Sequence, residues 1–341
     1  MRMPSASKSR ITLRGMGIDG FLMAIISVIV LAYFLPGPGI ATKPVSLEKM
    51  GAYGMSLIFF FYGLKLNMER LTAALKNWRV HTVIQLTTFL IFPLIALLIK
   101  PLFSSEQHLL WLGIFYLCVI PSTVSSSVVM VSIAGGNIPS AIFNASISTL
   151  AGVFITPLWM MPYLKSGNSD FNAADIIFKL VLQVLVPVVL GLLLHKYWGK
   201  YAEKYKKQLR YFDQSIIVLI IYTSFCHSFY THAFDGFSIV LLVELLTGLT
   251  VLFFIVFLLV RSISKSLRFN NKDTITVLFC GSKKSLVHGT VMSKVLFPAS
   301  ATVSVILLPL MLYHALQLIF ASIIAQRIAS NNREKEMEKV A

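Results

Sequence analysis

Carboxylates are scarce in this chain: Asp and Glu together number 14 of 341 residues, and the charged residues as a whole make up 13%. A soluble globular chain carries roughly a quarter charged residues, so the deficit excludes a soluble enzyme. Cysteines number only three (Cys118, Cys226, Cys280), each inside an apolar run and without zinc or haem spacing. They read as small buried hydrophobes rather than a disulfide or metal site. Also lacking is any long polar stretch between residues 20 and 328. That interval holds a succession of apolar runs of about 20 residues, the length that crosses a hydrocarbon core. The chain reads as a single all-α polytopic membrane domain.

What is abundant is positive charge, a net +16. In a soluble chain this would point to nucleic acid. Here the Lys and Arg residues sit in short connectors between apolar runs, so the charge reports topology and no nucleic-acid partner is expected. The runs predict ten spans, near 21–35, 47–66, 79–100, 108–134, 138–163, 174–196, 210–230, 238–261, 272–296 and 300–328. With both termini cytoplasmic, the cytoplasmic segments hold 22 of the 30 basic residues and the opposite side five, Lys43, Lys49, Lys100, Lys165 and Lys294. The remaining three lie within spans: Lys179, Lys283 and Lys284. Basic residues stay on the cytoplasmic side of short loops, so an even number of spans in a plasma membrane, bacterial inner membrane in type, is expected. The expected organisation is a cytoplasmic segment at 1–19, five-helix halves at 20–163 and 164–328, and a charged cytoplasmic tail at 329–341.

Two spans are broken. In the fourth, Pro121-Ser122-Thr123-Val124-Ser125-Ser126-Ser127 interrupts an apolar run; in the ninth, Gly281-Ser282-Lys283-Lys284-Ser285 does the same. Proline removes a helix donor, and freed backbone groups at membrane depth need protein or water as partners. Ser122 and Gly281 differ by 159 positions, as do Gln85 and Glu244 in spans 3 and 8. An offset of five spans turns the second copy upside down, the pattern of an inverted repeat whose paired discontinuous helices mark a binding site.

The polar residues near these breaks are the candidate site. An ammonium at the centre of a span costs about 2.5–3.5 kcal/mol on insertion scales, so Lys283 and Lys284 are expected to meet an anionic substrate, a coupling-cation site, a carboxylate such as Glu244, or water reached by snorkelling. Ser122, Thr123, Ser125, Ser282 and Ser285 join them as candidate substrate contacts. Ser126 and Ser127 offer hard oxygens for Na⁺, or else cap the half-helices. Asn137, Asn144 and Ser148 share a stripe of span 5, with Asn144 and Ser148 as further Na⁺ ligands and Asn144 also a substrate contact. Gln85 and Thr88 share one face of span 3 and Glu244 is the one acid well inside a run; these three are read as ion-coupling candidates, with helix packing as the alternative for the first two. His227, His314 and Gln317 read as packing contacts.

Several strings resemble the bile acid:sodium symporter family, in the branch that holds the seventh member of animal solute carrier family 10 and its bacterial homologues. They are Ser56 to Leu64 (SLIFFFYGL), Asn77 to His81 (NWRVH), Phe89 to Pro93 (FLIFP), the Ser125–Ser127, Gly135–Asn137 and Ile142–Asn144 triplets, and Phe279 to Leu286 (FCGSKKSL). The resemblance implies two inverted five-helix halves, a panel domain from helices 1, 2, 6 and 7, and a core domain in which helices 4 and 9 are broken and cross. It implies Na⁺-coupled transport of organic anions by alternating access, with Ser126, Ser127, Asn144, Ser146 and Ser148 nearest to the family's first sodium site. The chain departs from the family at the ninth-helix break, where Phe279 and Lys283 stand near positions that are Glu and Gln in typical members.

A secondary transporter of a small organic anion is therefore the expected function. No cofactor is called for beyond Na⁺, or H⁺, as coupling ion. The alternatives are proton-coupled or uncoupled transport, a membrane regulator without flux, and an intramembrane hydrolase with Ser126 or Ser282 activated by lysine.

Overall fold

The computed structural model describes residues 20–43, 46–65, 77–123, 125–164, 178, 181–233, 235, 237–297 and 303–340, and within them the chain is helical with no strand. The segment 1–19, set apart from sequence as preceding the first span, lies outside the described residues, and so does the side chain of Ser125. The first helices are α1 (Gly20–Phe34), the short α2 (Gly37–Ile40) and α3 (Leu47–Lys65). Next, α4 (Trp78–Leu86) passes through a π-helical turn, Thr87–Ile91, into α5 (Phe92–Leu98). Two helices, α6 (His108–Val119) and α7 (Ser125–Ala134), stand where span 4 was expected, and α8 (Ile138–Leu164) follows.

In the second half, α9 (Val186–Lys204), α10 (Lys206–Tyr230) and α11 (Ile239–Ser266) come first. The ninth expected span is again two helices, α12 (Asn271–Gly281) and α13 (Leu286–Leu296), before the long α14 (Val303–Val340). Among the described residues six stretches are long and apolar enough to cross a membrane: Trp78–Leu102, Ile138–Tyr163, Val181–Lys204, Lys206–Tyr230, Ile239–Ser266 and Val303–Asn332.

One connector is more helical than expected. The basic connector after span 6 is helix on both sides of Tyr205, because its Lys, Glu, Gln, Leu and Ala residues are strong helix formers. The charged tail continues α14 as far as Val340, with no Gly or Pro after Pro309 to stop it.

Helix packing sorts into two groups. In one, α3 packs on α9 and α10, and α1 on α10. Glycine sets the closeness of the first pair: a Cβ on Gly63 would fall 2.1 Å from Val188 O, and one on Gly191 would fall 2.1 Å from Phe60 O. Small residues that let backbones touch are the usual means of joining helices in lipid, where apolar burial supplies no drive. In the other group α14 runs along α6, α7 and α11, while α12 packs on α4, α7, α8 and α11. Contacts of α10 with α13 and α14 join the two groups. The two breaks lie inside the second group.

Candidate functional site

The two breaks meet, and the backbone of each is held by the other. At the first, Pro121 O accepts from Ser285 N at 2.9 Å, and Ser122 N donates to Ser148 Oγ at 2.9 Å. Ser122 Oγ donates to Cys280 O at 2.6 Å and Ser127 Oγ to Phe279 O at 3.0 Å, so the hydroxyls of the first break satisfy carbonyls at the end of α12. At the second, Tyr313 Oη donates to Ser282 O at 2.8 Å. Gln317 brackets Lys284, accepting from its N at 2.8 Å and donating to its O at 2.8 Å. An unpaired buried peptide group costs about 1–3 kcal/mol, and this accounting explains how two interrupted helices survive in an apolar interior.

Both lysines are wholly buried, at 0% exposure, so neither reaches water by snorkelling. Lys284 Nζ donates to Cys118 O at 2.6 Å, Thr88 O at 2.7 Å and Ile120 O at 3.0 Å, and sits 4.2 Å from the centre of the Phe92 ring. Two of these carbonyls stand at the carboxyl end of α6, the negative pole of its dipole. The third is free because Pro93 has no N–H to offer Thr88 O in the register of the π turn; the neighbouring Phe89 O accepts from Trp159 Nε1 at 2.9 Å instead. Lys283 Nζ donates to Ser126 O at 3.0 Å and lies 5.8 Å from the Phe279 ring. Among the described residues neither ammonium pairs with a carboxylate or a serine hydroxyl. Pairing with Glu244 and a Ser–Lys nucleophile are both therefore missing from this geometry.

The other predicted residues separate. Asn144 Nδ2 donates to Ser140 O at 2.9 Å and lies 2.7 Å from His81 Nδ1; Gln85 Nε2 donates to Asn144 O and Oδ1, each at 3.3 Å. Gln85 Oε1 is buried and has no partner among the described residues. Thr88 contributes its carbonyl, while its hydroxyl bonds back to Ile84 O at 2.8 Å. Ser126 Oγ donates to Thr123 Oγ1 at 3.3 Å and Ser282 Oγ to Leu278 O at 2.6 Å. The span-5 stripe reaches three different neighbours: Asn137 meets α12, Asn144 meets α4, and Ser148 meets the first break. Glu244 is elsewhere: it is exposed on α11, lining an apolar groove of about 470 Å³ with Ile95, Ile99, Leu102 and Gln107.

Three features escaped the sequence reading. His288, at the start of α13, has its Nδ1 2.8 Å from Ser285 Oγ and faces Phe59 and Tyr62 of α3 at ring distances of 6.1 and 5.9 Å. This is where the two helix groups meet near the ninth-helix break, and Tyr62 Oη reaches Ser146 O at 3.4 Å across the same boundary. Tyr313 and its bond to the ninth-helix break had no signal beyond an aromatic in an apolar run. Asp273, the only acidic residue buried among the described residues, accepts from Asn77 and Asn137 Nδ2 at 2.9 Å each and from Asn270 Nδ2 at 2.7 Å. It ties the starts of α4, α8 and α12 together. Asn77 and Asn137 lay in strings already singled out; that they meet on one carboxylate was not legible from spacing.

The SBF-like CPA transporter family matches residues 19–330. A putative symporter of Escherichia coli is 32% identical over 325 residues, 94% of this chain and 96% of that protein. The sodium/bile acid cotransporter 7 of Rattus norvegicus is 31% identical over 317 residues, 92% of this chain and 93% of its own length. An uncharacterised protein of Pseudomonas aeruginosa is 39% identical over 312 residues, 91% of this chain and 93% of that one. Apolar helices of spanning length together with transporter relatives make this an integral membrane protein, and the chain belongs to the SBF-like CPA transporter family.

Proposed function

We propose that this protein is a secondary transporter of a small organic anion, a bile acid-like compound or another carboxylate or sulfate. The observation that carries the reading is the charge where the breaks meet. Two ammonium groups, Lys283 and Lys284, and the first turns of two half-helices, α7 and α13, meet there with no carboxylate among the described residues paired to either. Helix amino termini carry positive partial charge, so the centre favours an anion. Ser122, Thr123, Ser125, Asn144, Ser282 and Ser285 supply the polar contacts of this proposal. The names of two relatives, a putative symporter and a sodium/bile acid cotransporter, support the same class.

Ten spans in two inverted halves, 20–163 and 164–328, fit the paired breaks. The two helix groups fit a panel and a core that move against each other in alternating access, with His288 and Tyr62 on the boundary. Both termini are placed in the cytoplasm by this reading, and the bacterial relatives support an inner-membrane location.

Na⁺ is the coupling ion of the leading version, with Ser126, Ser127, Asn144 and Ser148 as ligands and Gln85 Oε1, buried and without a partner among the described residues, as a further oxygen. A second version, proton-coupled or uncoupled, is favoured by the two ammonium groups standing at the breaks. Proteoliposome uptake tests both: taurocholate and smaller carboxylates and sulfates, each under an inward Na⁺ gradient, an inward proton gradient, or neither. Accumulation above empty liposomes is expected for at least one anion. Background uptake for all of them, with the reconstituted protein folded, would sink the transporter reading in favour of a regulator without flux.

A further inference from the structure

We propose that the carbonyl cage around Lys284 Nζ is a monovalent-cation site whose resident is the chain's own ammonium. Three observations meet there. First, all three protons of the ammonium are used: Cys118 O, Thr88 O and Ile120 O accept at 2.6, 2.7 and 3.0 Å, and the Phe92 ring face closes the remaining side at 4.2 Å. Second, none of the three acceptors is a carboxylate or hydroxyl, so the cage is built from carbonyl dipoles alone, the same chemistry that strips the hydration shell from a monovalent metal ion. Third, those carbonyls are available because regular helix ends beside them: Val119 is the last residue of α6, and Pro93 withholds the N–H that Thr88 O would otherwise take. With the side chain 0% exposed, no water substitutes for any of the four contacts.

The cage therefore has a charge requirement separate from any substrate. Removing the ammonium leaves three buried carbonyls facing one another, each without a donor. A free cation of similar size restores what was lost. In the wild type the charge is covalently fixed, so the cage is filled in every salt and the positive charge stays at the break, and any cation that is coupled to transport binds elsewhere. That last consequence rests on the transporter reading; the cage itself does not.

The test is the thermal stability of the full-length protein in detergent, as wild type and as Lys284→Ala, in choline, Na⁺, K⁺ and propylammonium chlorides at equal ionic strength. Propylammonium replaces the atoms that alanine removes, and choline has no N–H and is too large for the cage. The expected result is a variant that melts below the wild type in choline and recovers most of the difference in propylammonium and part of it in K⁺ or Na⁺. A Lys284→Ala protein that melts at one temperature in all four salts overturns the proposal. Where the alanine variant is not recovered folded, Lys284→Met decides. It keeps the bulk without the charge, and a melting temperature in choline equal to that of the wild type overturns the cage as a cation site, whereas a depressed one supports it. Melting reads the cage whatever the chain transports, so a negative result here leaves the transporter reading standing, and absent uptake leaves the cage standing.

Discussion

The side-chain amide of Gln317 lies along the peptide of Lys284, its Oε1 accepting from the backbone N and its Nε2 donating to the backbone O, both at 2.8 Å. One polar side chain of α14 thus replaces the helical partners that the ninth-helix break takes away, and it does so at the residue whose ammonium fills the carbonyl cage. Position in the break and charge in the cage are coupled through a single residue.

Gln317→Leu is accordingly expected to be among the more damaging single changes in α14. It leaves a buried N–H and a buried C=O unpaired, each costing about 1–3 kcal/mol. Melting of the purified protein should fall by several degrees, with Gln317→Glu intermediate because one acceptor remains. An unchanged melting temperature for Gln317→Leu would mean the break is held without this clamp.

Gly191→Val tests the close approach of α3 and α9. Its Cβ would stand 2.1 Å from Phe60 O, so the helices must separate or the backbone must shift. Overpacking of this kind costs about 1–3 kcal/mol or more. Low yield and early aggregation on size-exclusion chromatography are the expected outcome; Gly248→Val, where nothing lies within 4 Å of the added Cβ, is the control that should behave as wild type.

Asp273→Asn keeps the shape of the side chain that joins α4, α8 and α12 but replaces one acceptor oxygen with a donor facing the amides of Asn77, Asn137 and Asn270. Hydrogen bonds to a charged group are worth about 1.5–3 kcal/mol each. A clear drop in melting temperature follows, larger than that of Asn77→Ala or Asn137→Ala alone, each of which removes only one of the three amide donors. Equal melting of wild type and Asp273→Asn would show that the cluster carries little stability.

His288 and Glu244 should separate in an uptake assay. His288→Ala removes the ring that stands between Ser285 and the aromatics of α3 at the boundary of the two helix groups, and uptake is expected to fall about tenfold, the equivalent of about 1.4 kcal/mol. Glu244→Gln, exposed on the outer groove, should leave KM and maximal rate within twofold of the wild type, roughly the scatter expected of a surface change. A tenfold loss in Glu244→Gln would restore it as a coupling residue.

Much of this protein was legible before its fold. The scarcity of charge, the recurrence of apolar runs and the Pro121 and Gly281 interruptions establish a helical membrane chain with two broken helices, because hydrocarbon imposes its demand on each span separately and the demand is written in local composition. Lys283 and Lys284 stood out for the same reason. Their partners did not. Lys284 is held by backbone carbonyls of Thr88, Cys118 and Ile120, and a carbonyl is present at every position, so no residue type announces it. Glu244 aligned with Gln85 by offset, yet one faces an outer groove and the other lies against Asn144, because the rotation of each helix about its axis follows from packing against its neighbours. Composition determined which chemistry this chain carries into the membrane; only the packing of the helices decided which groups meet.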